Sequence, residues 1–200
     1  MISQDFFNFE GINIFLLFHL AIPLLIFEIP YFKNRFRVNR FSLIIGSLYP
    51  DIVDKALLFL ELGSGRGYAH TLLFVLISFI ILFLVSKGNK PIALPFLIGC
   101  LFHLLLDMPY IPIFYPFVFY EFIELDNPIE FWLDALFTNP IIITTEIIGG
   151  IIFVFIVLNN KLYRISAIVN YLKTNPQNTI KKTNKIEKNN INIEKHNKLY

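Results

Sequence analysis

Long apolar runs separated by short polar clusters make up most of this chain. The five runs cover residues 12–30, 42–60, 70–86, 91–107 and 140–158. Each is close to the length of about 18 to 20 residues that a helix needs to cross the hydrocarbon core of a bilayer. The pattern therefore predicts an all-α integral membrane protein, a helical bundle of about five apolar helices.

The second apolar run is the least regular of the five. Five residues interrupt it, namely Gly46, Pro50, Asp51, Asp54 and Lys55. A charged group at bilayer depth costs about 3 kcal/mol or more unless it is paired or ligated, so these residues indicate a functional site or a wet cavity. A broken or re-entrant helix is as consistent with this stretch as a straight span.

Basic and acidic residues divide the connecting segments into two groups. Lys and Arg concentrate in residues 31–41, in residues 87–90 and beyond the last run, whereas residues 108–139 are acidic and aromatic. Because Lys- and Arg-rich loops remain in the cytoplasm, five crossings put the N-terminus, residues 61–69 and residues 108–139 outside. This charge pattern predicts a multi-pass protein of the cell membrane with a cytoplasmic basic tail.

Composition supports a location in a bilayer and excludes several classes of function. The 200 residues are 56% hydrophobic, above the roughly 45–50% of a soluble domain. The single cysteine, Cys100, excludes an internal disulfide and a thiolate cluster, and we interpret it as a buried small hydrophobe. Residues 172–200 are rich in Asn and Lys, which predicts a disordered tail that faces anionic lipid rather than nucleic acid. Residues 1–171 then form the membrane-embedded domain.

Carboxylate and imidazole side chains gather at a few positions within the apolar sequence. In chain order these positions are His19, Pro50–Asp54, Arg66–Thr71 and His103–Asp107. His103 and Asp107 are four residues apart and Asp51 and Asp54 are three apart. Each pair therefore shares one face of a helix. In the five-span arrangement the three later clusters lie toward the outer half of the bilayer.

This set of side chains predicts a divalent metal site. Zinc is the first choice for a mixed set of imidazole and carboxylate ligands, with manganese or iron as alternatives. We assign five residues to the metal, His19, Asp51, His70, His103 and Asp107. Asp54 is a further ligand or a general base. Arg66 is a clamp for phosphate or carboxylate, with contact to lipid headgroups as its alternative.

Most of these residues also have a purely structural interpretation. His19 could be a hydrogen-bonded polar residue between helices, and Asp51 could be the N-cap of a helix. His70-Thr71 could cap the third span, and Asp54 and Lys55 could simply pair with other groups. Glu146, near the start of the last span, is equally consistent with a structural and a functional role.

The order of these motifs resembles the YdjM-like membrane-bound metal-dependent hydrolase family. The matching pieces are His19, Gly46–Asp54, Arg66–Thr71 and Gly99–Asp107, within roughly residues 15–158. The resemblance implies a membrane-embedded metal site and a hydrolytic reaction class, but no particular substrate. The chain departs from the family's HRGxTHS pattern at Gly65, where the family has His, and at Ala69, where it has Thr.

The leading functional hypothesis is a metal-dependent hydrolase of a phosphoester or another lipid-linked ester. Its partners are the bilayer and a small-molecule or lipid substrate, with no nucleic acid, and the sequence specifies no oligomeric state. The second hypothesis is a divalent-cation transporter or a metal-binding membrane protein without turnover. A transport pathway, however, should place polar residues at several depths rather than at one. The third is a structural or partner-binding protein whose site has decayed, an alternative that Gly65 leaves open.

Overall fold

Regular structure is helical throughout the described part of the chain. The computed structural model describes residues 16–36, 38–62, 67–120 and 127–173. These residues form one 3₁₀ turn, Tyr68–His70, and eight α-helices, with no strand among them. The helices are α1 (Leu16–Ile26), α2 (Pro30–Arg35), α3 (Arg40–Phe59), α4 (Leu72–Val85), α5 (Lys90–Asp107), α6 (Pro128–Thr138), α7 (Pro140–Asn159) and α8 (Ile165–Lys173). The prediction of an all-α fold is confirmed.

Each of the five apolar runs corresponds to one helix, in chain order α1, α3, α4, α5 and α7. Among the described helices, only α5 and α7 are both long and apolar enough to cross a membrane by length and composition. α1 and α4 are apolar but shorter. Most of the α7 surface is exposed on this chain, although its residues are strongly apolar, as lipid contact would require. Two helices are therefore candidate spans, and five crossings remain a prediction.

α3 is a single helix despite the residues that interrupt its apolar pattern. It runs for 20 residues and contains Pro50 in its interior. Its start is capped by Asn39, whose side-chain oxygen accepts a hydrogen bond of 3.1 Å from the Ser42 N–H. The second apolar run therefore forms one continuous helix and not a broken one. Asp51 and Asp54 lie well inside it, so Asp51 is not an N-cap.

Two glycines bring the backbones of α3 and α5 into contact. A Cβ atom on Gly46 would lie 2.1 Å from the carbonyl oxygen of Phe96. A Cβ atom on Gly99 would lie 2.4 Å from the carbonyl oxygen of Leu43. Because the neighbouring atoms belong to the backbone, a side chain at either position would push the helices apart. This close approach sets the distance between the polar side chains that α3 and α5 direct at each other.

α1 packs against α7 through a similar close contact. A Cβ atom on Gly149 would lie 2.6 Å from the backbone nitrogen of Phe18. One turn earlier on α7, the Glu146 carboxylate accepts hydrogen bonds of 3.2 Å from the N–H groups of Leu17 and Phe18. N–H groups in the first turn of a helix have no partner within the helix, and a carboxylate there also complements the helix dipole. Glu146 thus has a structural role as the cap of α1.

An ion-pair cluster joins the end of α1 to the start of α3. Glu28 accepts hydrogen bonds of 2.7 Å from Lys33 Nζ and from Arg40 Nη2. The Glu28 and Arg40 side chains are both buried, and buried charges are tolerated when they are paired in this way. The Arg40 guanidinium also lies 4.4 Å from the ring centre of Tyr171, which connects α8 to the same cluster.

Candidate metal centre

Four polar side chains from α3, the 3₁₀ turn and α5 converge on one point. One ligand atom of each lies within 4.8 Å of the corresponding atoms of the other three. The four residues are Asp51, His70, His103 and Asp107. All four were predicted as metal ligands from three separate motifs, and the packing of the helices brings those motifs together.

Five of the six distances between these ligand atoms are close to the edges of a tetrahedron around an ion of the size of zinc. His70 Nε2 lies 3.1 Å from His103 Nε2 and 3.3 Å from Asp51 Oδ1. Its distance to Asp107 Oδ2 is 3.5 Å. His103 Nε2 lies 3.3 Å from Asp107 Oδ2 and 3.7 Å from Asp51 Oδ1. Metal–ligand bonds of about 2.0 to 2.1 Å at tetrahedral angles give edges of about 3.3 to 3.4 Å, which these five distances approach. The sixth distance, between Asp51 and Asp107, lies within 4.8 Å, so the four residues can share one ion.

Contacts on the far side of both rings direct their Nε2 atoms at this point. His103 Nδ1 donates a hydrogen bond of 2.7 Å to the carbonyl oxygen of Ser47, which can only accept. His70 Nδ1 lies 2.6 Å from Asp54 Oδ2. A neutral ring protonated at Nδ1 presents the Nε2 lone pair, which is the form that binds a metal. Two such lone pairs 3.1 Å apart repel each other unless a proton or a cation lies between them.

Asp54 uses both of its oxygen atoms to hold the segment that contains His70. Its Oδ2 accepts a hydrogen bond of 2.8 Å from the Gly67 N–H, and its Oδ1 accepts one of 2.9 Å from the Ala69 N–H. A carboxylate behind a ligating histidine is a common arrangement at metal sites, where it orients the ring. The geometry therefore supports Asp54 as the residue that orients His70, in preference to the roles of ligand and general base. Ala69 contributes only its backbone N–H, so this departure from the family pattern preserves the contact.

Thr71, which follows His70, caps the start of α4. The Thr71 hydroxyl accepts a hydrogen bond of 3.1 Å from the Phe74 N–H in the first turn of α4. The expectation that His70-Thr71 caps this helix thus holds for the threonine. The histidine ring, which is fully buried, points to the metal centre instead.

His19 approaches the centre from α1, at the far side of Asp107. Its Nε2 lies 3.2 Å from Asp107 Oδ1, whereas Asp107 Oδ2 is the oxygen nearest the other two rings. The centres of the His19 and His103 rings are 4.1 Å apart. The structure therefore brings His19 to the edge of the centre but not into the group of four converging residues. Its position suits a residue that orients the Asp107 carboxylate.

Asp51 provides the accessible side of the centre. Its side chain is 17% exposed, whereas those of the other three converging residues are fully enclosed. Its outer oxygen Oδ2 lies 2.7 Å from Lys55 Nζ, one turn further along α3. The Lys55 ammonium also lies 5.4 Å from the ring centre of Trp132, on α6. Within the described residues, access to the cluster is therefore through Asp51, beside Lys55 and Trp132.

Charge balance at the centre favours a divalent cation. The carboxylates of Asp51, Asp54 and Asp107 carry three negative charges, and Lys55 carries one positive charge. With both histidine rings neutral, the net charge of this group is −2. Uncompensated charge in a buried site is costly, and a divalent ion would cancel it.

Three contributors to this centre lie outside the predicted set of site residues. The Ser47 carbonyl and the Trp132 ring were not predicted, and Lys55 was expected only as a charge that interrupts the second run and could pair with another group. The spacing of four residues between Asp51 and Lys55 was the available signal for their pairing. Nothing in the local sequence connects Trp132 to this site. Arg66 lies outside the described residues, so its role as a clamp remains a prediction.

The fold and the site define a class of protein, an all-α protein with two candidate membrane spans and a candidate metal centre between its helices. The YdjM inner membrane protein family matches residues 14–172, which include every residue of the centre. Because the match covers most of the chain, the protein belongs to this family. The resemblance based on motif order is confirmed, and membership supports a location in the membrane. No curated protein and no solved structure matches the chain.

Proposed function

We propose that this membrane protein is a metal-dependent hydrolase of a phosphoester or another lipid-linked ester at the outer face of the bilayer. The observation that supports the proposal most directly is the convergence of four ligand atoms at a centre with one accessible side. A purely structural set of buried polar residues would need no accessible side.

Zinc is the ion that we propose for this centre, with manganese or iron as alternatives. The choice follows from the mixture of imidazole and carboxylate ligands and from edges close to those of a tetrahedral site. One ion is proposed because the four ligand atoms surround a single point. Such an ion would activate water and polarise an oxygen atom of the ester.

The chain's own residues would hold the reacting groups in place. Asp54 and the Ser47 carbonyl orient the two histidine rings, and His19 contacts the outer oxygen of Asp107. Fixed rings keep their Nε2 atoms directed at the ion and limit the reorganisation that binding requires. The enclosed side of the centre excludes water, so substrate and water are proposed to enter past Asp51.

Asp51 is the ligand that we propose to yield a coordination position to the substrate. Catalytic zinc sites usually keep one position open, whereas four protein ligands are typical of structural sites. Asp51 is partly exposed, and Lys55 offers its carboxylate an alternative partner at 2.7 Å. The remaining three residues, all enclosed, would continue to hold the ion.

The alternative is a metal-binding or metal-transporting membrane protein without hydrolytic turnover. The same four-residue set favours this alternative, because four protein ligands are typical of structural sites and leave no position for a substrate. Transport is the weaker form of the alternative, because the candidate ligands occupy a single depth rather than a path across the bundle.

The test begins with metal content and continues with activity. Protein purified in mild detergent should contain about one divalent ion per chain by elemental analysis, as a single site of this kind requires. Asp107→Ala should lose the ion, whereas Glu130→Ala, an exposed acid on α6, should keep it. Hydrolysis of chromogenic phosphodiesters and carboxyl esters should then be abolished by a chelator and restored by zinc.

The outcomes separate the two candidate functions. Metal-loaded protein whose turnover does not exceed that of Asp107→Ala would favour the binding protein without hydrolysis. Wild-type protein with no divalent ion would refute both functions. In that case the cluster would be a set of buried polar contacts between helices.

A further inference from the structure

Lys55 and Trp132 stand together at the accessible side of the centre, and neither is among the converging ligands. We infer that they form an anion subsite that binds the phosphate group of the substrate, which makes the substrate a phosphate ester. This inference rests on the proposed function, because it gives the substrate class for the same site. The shared chemistry is a phosphate group, which a phospholipid headgroup or a soluble phosphate ester could supply.

The position of Lys55 relative to the ligands is the first argument. Asp51 connects the two, since its Oδ1 lies 3.3 Å from His70 Nε2 while its Oδ2 lies 2.7 Å from Lys55 Nζ. The ammonium is therefore separated from the ligand cluster by the width of one carboxylate. A phosphate group that reached the centre from this side could place one oxygen among the ligands and another beside Lys55. Two fixed contacts of this kind would hold the phosphate group in one orientation.

The hydrogen-bonding capacity of Lys55 is the second argument. An ammonium group has three N–H donors, and the contact with Asp51 uses one of them. The Lys55 side chain is 39% exposed, so its other donors are accessible from the surface.

Trp132 is the third argument, because it holds the ammonium in position from a different helix. The Lys55 Nζ lies 5.4 Å from the indole ring centre, within the range of a cation–π contact. Asp51 and Trp132 therefore restrict a long and flexible side chain from two directions. Such restriction lowers the entropy that Lys55 loses when it binds an anion.

The net charge of the centre is the fourth argument. With a divalent ion bound, the three carboxylates and Lys55 bring the site to a net charge of zero. Without Lys55 the same site would be negative and would repel a phosphate group. Lys55 therefore removes the charge repulsion that would otherwise weaken the binding of an anionic ester.

Trp132 makes the experiment direct, because it is the only tryptophan in the chain. Wild-type protein in detergent, of measured metal content, is titrated with inorganic phosphate while tryptophan fluorescence is recorded. Phosphate should change the emission and should saturate. Lys55→Met should weaken phosphate binding by about tenfold or more, the effect of losing one charge-assisted hydrogen bond. Lys55→Arg, which keeps the charge, should restore most of the affinity.

Lys90→Met is the matched control, because Lys90 is an exposed lysine at the start of α5, one helix length from the centre. It should bind phosphate as the wild type does. Short-chain phosphatidic acid and glycerol phosphate, compared in the same titration, distinguish a lipid headgroup from a soluble ester. Tighter binding of either phosphate compound than of an uncharged analogue supports the anion subsite.

A failure of the anion subsite can be distinguished from a failure of the proposed function. Unchanged phosphate affinity in Lys55→Met, at full metal content, would overturn the subsite and leave the metal centre intact. Metal-loaded wild type that binds no phosphate would overturn it as well. Wild type that contains no divalent ion would refute the proposed function and the subsite together, because the metal-free centre, with its net charge of −2, would repel a phosphate group. Lys55→Gln provides a second variant if Lys55→Met does not remain monodisperse.

Discussion

Replacing Gly99 with alanine should damage the metal centre without altering any ligand. The added Cβ would lie 2.4 Å from the Leu43 carbonyl oxygen and 2.7 Å from the Ser47 backbone nitrogen. Ordinary contact begins at 3.4 Å, so α3 and α5 would have to separate by about 1 Å at this crossing. Both neighbouring atoms belong to the backbone, so no side chain can rotate away to relieve the contact.

The separation of α3 and α5 would occur beside two of the predicted metal ligands. Gly99 is one turn before His103 on α5, and Ser47 is one turn before Asp51 on α3. Metal–ligand distances are held within about 0.2 Å, so a shift of about 1 Å at the crossing exceeds what the ligands can absorb. We expect metal affinity to fall by about 10- to 100-fold, the range measured when the support of a metal site is disturbed. The overpacking itself should cost about 1 to 3 kcal/mol of folding stability.

The assay is competition for zinc against a chromophoric chelator, with purified protein in detergent. Gly150→Ala is the matched control, because the nearest atom to its Cβ would be Leu17 Cδ1 at 3.8 Å, an ordinary contact. Thermal unfolding of the same samples measures the loss of stability separately. If Gly99→Ala and Gly150→Ala bind zinc equally well and unfold at the same temperature, the glycine contact does not set the geometry of the centre.

Four further predictions follow from the site and the charge pattern. His103→Ala should reduce zinc affinity by about 100-fold or more, since it removes a ligand, and a variant that kept its full metal content in elemental analysis would contradict the site. Asp54→Asn should weaken zinc binding by about 10- to 100-fold in the competition assay through loss of His70 orientation, and unchanged affinity would mean that Asp54 has no such role. A cysteine at Ser64 in a Cys100→Ala background should react with an impermeant maleimide from outside, and labelling only after lysis would reverse the predicted topology. Truncation after Leu172 should leave the metal content intact, because every residue of the centre precedes it, and metal loss would reveal a contribution from the tail.

Much of the helical framework could be predicted from the sequence. The apolar runs are long, and a chain in an apolar environment must satisfy its backbone groups internally, which favours helices at those positions. α5 and α7 occupy nearly the ranges expected for residues 91–107 and 140–158. The four converging ligands could be selected as well, because polar residues within apolar helices are expensive and therefore rare.

The sequence could not specify which of the selected residues would meet. Spacing along a helix determines which side chains share a face, but not which face of another helix lies opposite. His19 and His70 were equivalent as candidates, yet packing of α1 leaves the first beside the outer oxygen of Asp107 and the second within the cluster. Asp54 is oriented by backbone N–H groups of a loop 13 residues away, which no helical periodicity encodes.

Tertiary structure alone decided the remaining features of the site. Glu146 caps α1 from more than 120 residues away, and Trp132 reaches Lys55 from a separate helix. These contacts depend on how closely the helices approach, which the glycines at the crossings permit and no local pattern reveals. The sequence by itself determined the helices and the candidate ligands, since these follow from hydrophobicity and from periodicity within one segment. The fold determined which atoms face each other, because contacts between distant segments form only when the helices pack.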